Sequence, residues 1–439
     1  MSLPPSTTVS PSRVRNQLSL MMFLQYAIWG AWLPLLFPFL THARGLTNVQ
    51  IGHVIAIGAV GAIVAPFVAG QIADRFFATE KFLALSHLIG AALVWQLASI
   101  ESYAGFLGFS LVYSLVFAPT LSLTNSIAFH HLPDRDKDFG KVRVWGTIGW
   151  IAVGIGIGQW LLFRHTPAVG TPLVIAAAQF EGMADSFRLS AGLGVLLGVY
   201  CLTLPHTPPA GSEAGNATFE ALGEVRKSPL LQLFLLAVPV SCIHQFHFVH
   251  TAGFLGSFQS KSADAINRIF GVGGGGLMTI GQMSEVLVLG VLPIIAGRVP
   301  RKALLAVGLL AYGARMALFA YVEAFPEALR TPLVLLGVSL HGLCFGCFIF
   351  VAFLVVDEET SPDVRASAQS MFNLVIVGVG IIIGSQIATR VADWASRAGQ
   401  LNYRELFSVP MWASLACLAA LMLFYRRGAH DPTRPALPS

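Results

Sequence analysis

HTPPAGSEAGNATFEALGEVRKSP, residues 206–229, is the longest polar interval in this chain. It is rich in Pro, Gly and Glu, and apolar runs extend from it in both directions. Toward the N-terminus they cover 17–41, 48–73, 81–101, 103–129, 142–163 and 185–205; toward the C-terminus, 230–257, 270–297, 303–323, 331–356, 366–392 and 405–425. A helix that crosses a bilayer needs ~20 mostly apolar residues, and tilt accommodates more. The reading is therefore an all-α integral membrane protein of twelve spans in two six-helix halves. Its parts are an N-tail (1–16), an N-terminal half (17–205), a middle loop (206–229), a C-terminal half (230–425) and a C-tail (426–439). The halves match in hydropathy, without a strong internal sequence repeat.

Composition leads to the same class. Apolar residues make up 55% of the 439 and charged residues 11%, against ~25% charged in ordinary soluble domains. Mean hydropathy is +0.70. One soluble core cannot hide that much apolar surface, so the bilayer must solvate most of it. The first apolar run ends in no small-residue cleavage site and reads as a retained anchor. The five cysteines all lie in apolar runs, and the Cys344-x-x-Cys347 pair sits mid-span, where small-residue packing fits better than redox chemistry. The net charge of +5 suits cytoplasmic loops and gives no sign of a nucleic-acid partner.

Lys and Arg set the orientation. With both termini in the cytoplasm, the tails and even-numbered connections carry sixteen of the 27, the other connections nine, and the spans Arg143 and Arg315. Short loops rich in Lys and Arg stay cytoplasmic, which places the chain as a multi-pass protein of the inner or plasma membrane with both ends inside. Such an architecture, with a cytoplasmic middle loop, is that of the major facilitator transporters. GQIADRFFATEK (70–81) carries the G-x-x-x-D-R pattern that resembles their loop motif. There Gly70, Asp74 and Arg75 either lock one conformation by pairing Asp74 with a neighbouring helix, or form a plain surface ion pair. The corresponding loop of the second half, GRVPRK (297–302), keeps the positive charge and lacks the acid.

Ionisable groups inside spans are costly and should face a cavity or a partner. Arg143, Thr147 and Trp150 are spaced by four and three, so they share one helix face. They either serve a small polar ligand with a flat ring, or Arg143 snorkels to the surface while Trp150 packs. Gln282 and Glu285 share a face of the eighth span. Apolar sequence on both sides leaves Glu285 nowhere to snorkel. Burial favours the neutral form of a carboxyl, which suits proton coupling; the alternative is a static ion pair with Arg315. In SCIHQFHFVH (241–250), His244, His247 and His250 drift around the helix with no carboxylate or thiolate near, so a metal site is not expected and a polar stripe along an aqueous path is. Gln245 and Phe248 lie in the same stretch. GVGGGG (271–276) lacks the context of a phosphate loop and reads as a helix end that unwinds or a place where helices approach closely. His87 and Asn125 line a cavity or bond across helices.

Several strings together resemble the nucleoside:proton symporter family of bacterial major facilitators: FLQYAIWGAWL (23–33), PTLSLTNSIAF (119–129), RVWGTIGW (143–150), GQMSEVL (281–287) and EETSPDVRASAQSMF (358–372). The resemblance runs in order through both halves. It implies alternating access, a nucleoside site between the halves and coupling to protons with no cofactor beyond the proton gradient. It also implies a functional monomer whose partners are the cargo, protons and lipid. By motif it places Arg143, Thr147, Trp150, Gln245, Phe248, Gln282, Glu285, His341 and Phe345 at the substrate site, with Glu285 also coupling. Trp150 stands where the family has phenylalanine, Phe248 replaces an asparagine and His341 a tyrosine. Gly346 stands where the family has an aspartate. That loss leaves open an uncoupled nucleoside facilitator, or a carrier of another small polar cargo such as a sugar or an exported compound. No catalytic motif points to an enzyme.

Overall fold

The computed structural model describes residues 11–68, 77–132, 134–208, 222–259, 264–361, 364–397 and 400–426. Gly70, Asp74 and Arg75 lie outside the described residues. Among the described residues, twelve long helices follow one another: α1 (Ser12–Ala43), α2 (Asn48–Val68), α3 (Thr79–Leu97), α4 (Tyr103–His131), α5 (Arg135–Arg164), α6 (Ala184–Cys201), α7 (Leu230–Gln259), α8 (Gly275–Ala296), α9 (Arg301–Tyr321), α10 (Glu327–Glu359), α11 (Ser367–Ala395) and α12 (Tyr403–Phe424). Among the described residues, ten are long and apolar enough to cross a membrane. The other two, α3 and α6, occupy the third and sixth expected spans and are diluted by charged ends, Glu80 and Lys81 in one and Asp185 and Arg188 in the other. Helices suit this solvent because their backbone groups are satisfied within each segment.

The expected boundaries shift in ways the chain explains. The eighth span begins at Gly275, not 270, because a short helix (Asp264–Phe270) is cut from it by the glycine run. A second short helix, Pro172–Gly182, precedes α6, capped by Thr171. The helix of α10 widens into a π-helical stretch at Cys344–Phe350, and α11 does the same at Leu374–Val379. Such bulges re-aim side chains and recur at functional sites.

Packing follows two sets of six. In the first, α1 lies on α5 and α6, α3 on α4 and α6, and α2 on α4; in the second, α9 lies on α10 and α12, α7 on α11 and α12, and α8 on α10. The sets meet along α2 against α11 and α5 against α8. Large apolar side chains such as Leu85, Leu235, Leu287 and Ile294 are exposed on the outside, where lipid would cover them.

The halves are closed against each other at the end bearing the odd-numbered connections. There the Val272 N–H donates to Gly158 O at 3.0 Å, and Gln159 Nε2 donates to Arg268 O and Ile269 O at 2.8 and 3.0 Å. Across the other seam, Asn48 Nδ2 donates to Asp393 Oδ1 at 2.8 Å. The glycine run makes the first seam possible. Gly271, Gly273 and Gly274 have φ of +71°, +83° and +81°, a region other L-residues enter only at a cost. A Cβ on Gly271 would also collide with the backbone of Gly158. Gln259 holds the bend from within its own half, donating to Gly271 O at 2.8 Å and accepting from Gly274 N at 2.9 Å.

At the opposite end, the acid missing from 297–302 arrives from another helix. Arg301 donates to both carboxylate oxygens of Glu358 at 3.0 and 2.6 Å, joining the start of α9 to the end of α10. Bidentate pairs of this kind are the geometrically specific ones.

Substituting Gly271→Ala forces both strain and collision at the α5 seam. Transport measured in cells with normal surface expression is expected to fall at least ~tenfold, since about 1–2 kcal/mol of left-handed strain adds to the clash. Gly290→Ala, which has open space around the added methyl, leaves transport unchanged.

Candidate functional site

The polar groups inside the bundle gather on α5, α7, α8, α9 and α10. On α5, Arg143 places its guanidinium over the ring of Tyr26 on α1, 4.1 Å from the centroid. It is half-buried. A Cβ at Gly146 would meet Tyr26 at 2.6 Å and Arg143 at 2.9 Å, so the small residue one turn on gives the pair its room. Thr147 is half-buried on the same helix. Trp150 packs edge-on to Trp29 at 5.9 Å between centroids, with the Gly30 backbone against its ring.

On α8, Gln282 is buried and its Oε1 has no hydrogen-bond partner among the described residues. One turn away, Glu285 lies close enough to Arg143 of the other half for their charges to interact. Glu285 does not pair directly with Arg315, the static alternative in the sequence reading; His341 stands between them. Its Nε2 is 3.6 Å from Glu285 Oε2, and its Nδ1 is 3.0 Å from Arg315 Nη1. Arg315 is wholly buried, with Nε and Nη2 unpartnered among the described residues. The arrangement is a carboxylate, an imidazole and a guanidinium in line across α8, α10 and α9.

The histidines of α7 flank this line. His247 and His244 stack on His341 with centroids 4.6 and 5.6 Å apart, and Tyr312 of α9 hydrogen-bonds His244 Nδ1 at 2.7 Å. His247 Nδ1 is 3.0 Å from Thr251 Oγ1. His250 turns elsewhere, to Ala388 O of α11 at 3.0 Å. Among the described residues no group of three or more His, Cys, Asp or Glu side chains could hold a metal ion. Four members of this cluster, His244, His247, Tyr312 and Arg315, were not in the expected substrate site; the histidine stripe on α7 and the mid-span arginine of α9 were the signals that could have joined them.

Gln245 is buried on α7, packed where α11 passes at Gly384. Phe248 turns its ring toward the stack, 5.1 Å from His244 and 6.5 Å from His341. Phe345 is half-buried in the π-helical stretch of α10. Its neighbour Gly346 is buried, and a Cβ there would meet Val288 Cγ1 of α8 at 2.6 Å. The position that carries an acid in the resembling pattern is therefore closed by a valine. His87 and Asn125 lie in the first half with unpartnered atoms, Nε2 and Oδ1, among the described residues. His87 borders a small enclosed space with Phe117 and Tyr113, away from the groups above.

Two six-helix sets meeting along paired helices, with a cation on one set facing a carboxylate on the other, define a secondary transporter of the major facilitator class. The sequence model of the nucleoside H+ symporter family matches residues 13–430. YegT of Escherichia coli (strain K12) is 33% identical over 431 residues, covering 95% of each chain. The nucleoside permease NupG of the same organism is 27% identical over 432 residues, 94% of this chain and 96% of NupG. The crystal structure of NupG superposes with a TM-score of 0.81 at 26% identity, covering 94% of this chain and all of that one. The chain belongs to the nucleoside H+ symporter family, whose members are transporters and not enzymes.

The Gly346–Val288 contact yields a sharp test. Gly346→Ala overpacks the α8–α10 interface, which costs about 1–3 kcal/mol, and is expected to lower uptake at least ~threefold. Val288→Ala in the same chain restores it, as measured by initial rates at matched expression.

Proposed function

We propose that this protein carries nucleosides inward across the inner membrane together with protons, as a monomer with both termini in the cytoplasm and no cofactor beyond the proton gradient. The observation that carries the reading is the placing of Arg143 on α5 and Glu285 on α8 within reach of each other's charge across the joint between the halves. A cation and a carboxylate on opposite moving parts attract when the acid is charged and release when it takes a proton. Protonation thus changes how firmly the halves hold each other at mid-membrane, and alternating access needs that change.

The surrounding groups suit a planar, hydrogen-bonding cargo. Gln245 and Gln282 each present a donor and an acceptor in one plane. The unpartnered Oε1 of Gln282 is an acceptor waiting for an N–H, which a nucleobase edge supplies. Phe345 and the exposed part of Trp150 offer faces for stacking, and Thr147 a hydroxyl. Phe248 and His341 shape the side where the sugar lies, and with Gly346 closed by Val288 no acid reaches the sugar from position 346. The loop carrying Gly70, Asp74 and Arg75 steadies one of the two end states.

Uptake of radiolabelled uridine and adenosine into proteoliposomes, with and without an inward proton gradient, tests the reading. Gradient-driven accumulation is expected, and cargo that only equilibrates would replace symport by facilitated diffusion. Glu285→Gln should abolish the gradient-driven part while leaving exchange of cargo across the membrane, because the neutral amide mimics the permanently protonated acid.

A further inference from the structure

The line Glu285–His341–Arg315 has a direction fixed by chemistry. A guanidinium donates hydrogen bonds and accepts none, and it stays charged at any physiological pH. Arg315 Nη1, at 3.0 Å, must therefore donate to His341 Nδ1. The imidazole is left with its one proton on Nε2, and that nitrogen faces Glu285 Oε2 at 3.6 Å. The distance is longer than a hydrogen bond, but it aims an N–H dipole at the carboxylate.

His341 is 2% exposed and Arg315 fully buried, so water screens little of the interaction between them. A second proton on His341 would break the bond from Arg315 and set two positive charges side by side in a low-dielectric site. The other groups facing the ring are His247, His244 and Phe248 from α7, Arg315 from α9 and Glu285 from α8. Glu285 is the one carboxyl group among them, and Arg143 of the other half lies within reach of its charge.

We infer that His341 is not a proton carrier but a positioning residue: held by Arg315, it directs a fixed Nε2–H at Glu285, so that Glu285 alone takes the coupling proton and one proton moves with each cargo molecule. This deepens the symport reading above and rests on it. His341 and Glu285 belong to the same half, so their contact does not depend on how the halves move; the tie to Arg143 does, and protonation of Glu285 weakens it. The switch then acts between the halves rather than within one.

The test compares the full chain in proteoliposomes with His341→Gln, His341→Leu and Glu285→Gln, reading labelled uridine uptake against pH and the accumulation ratio at a known proton gradient. A glutamine at 341 accepts from Arg315 through Oε1 and donates toward Glu285 through Nε2, but it cannot titrate. It should keep gradient-driven accumulation, the wild-type pH midpoint and an accumulation ratio set by one proton, at a rate lowered up to ~fivefold. Leucine removes the donor to the carboxylate, so protonation becomes easier and the pH midpoint of uptake moves up by about one unit. His341→Asn, whose amide satisfies Arg315 but falls short of Glu285, gives the same upward shift if the leucine variant does not fold. Loss of accumulation in His341→Gln, with the wild type active, would make the imidazole itself a carrier and overturn the inference alone. An accumulation ratio set by two protons, or an unmoved midpoint in both donor-free variants, would overturn it as well. A wild-type chain that takes up no nucleoside would remove the symport reading and this inference with it.

Discussion

A carboxylate in the middle of a bundle that water barely enters must be answered by a cation or a donor, and Glu285 is answered from both halves. Arg143 faces it from α5, and His341 faces it from α10. Much else in the interior follows from that need. Arg315 is tolerated at full burial because His341 accepts from it and Tyr312 lies under its guanidinium, 5.2 Å from the ring centroid. The Tyr26 ring does the same for Arg143 at 4.1 Å. Both cations thus rest on aromatic faces, which attract them without adding a negative charge beside Glu285.

The backbone seam at the other level of the molecule obeys a different constraint. Where α5 meets the segment before α8, the contact is main chain to main chain, through Gly158, Gly271 and Val272. A seam without side chains can open and close without repacking a core, since few buried rotamers must change. Polar ties such as Gln159 to Arg268 O and Asn48 to Asp393 can be exchanged for water when it opens. The charged groups inside the bundle and the polar seam at the closed end thus lie at different levels of the same joint between the halves.

The fold was largely legible because the bilayer makes a simple demand. Apolar runs of spanning length, a polar interval at 206–229 and the Lys and Arg imbalance report the requirement that backbone groups be satisfied without water. Helix ends were less legible: the break at 271–274 depends on left-handed φ values, which glycine permits but does not announce. The site divides the same way. Glu285 and Arg143 stood out because an ionisable group in an apolar run is rare. Their partnership did not, since α5 and α8 are far apart in sequence, and the line through His341 to Arg315 depends on three helices meeting at one depth. The loop residues Gly70, Asp74 and Arg75 fall outside the described residues.

The exchange at position 346 can now be placed in physical terms. A glycine there would leave a void if its neighbours were unchanged, and Val288 fills the space to within contact of any added methyl. One turn earlier, His341 meets the carboxylate that remains. The two features are complementary. A site with two acids needs room and polarity around each of them, whereas a site with one acid can close the second position with a valine and spend its polar contacts on Glu285. The stacked imidazoles of α7, held beside the Arg315 cation, then provide a polar wall. An imidazole-rich wall beside a single acid keeps the polar contacts of the interior gathered around Glu285.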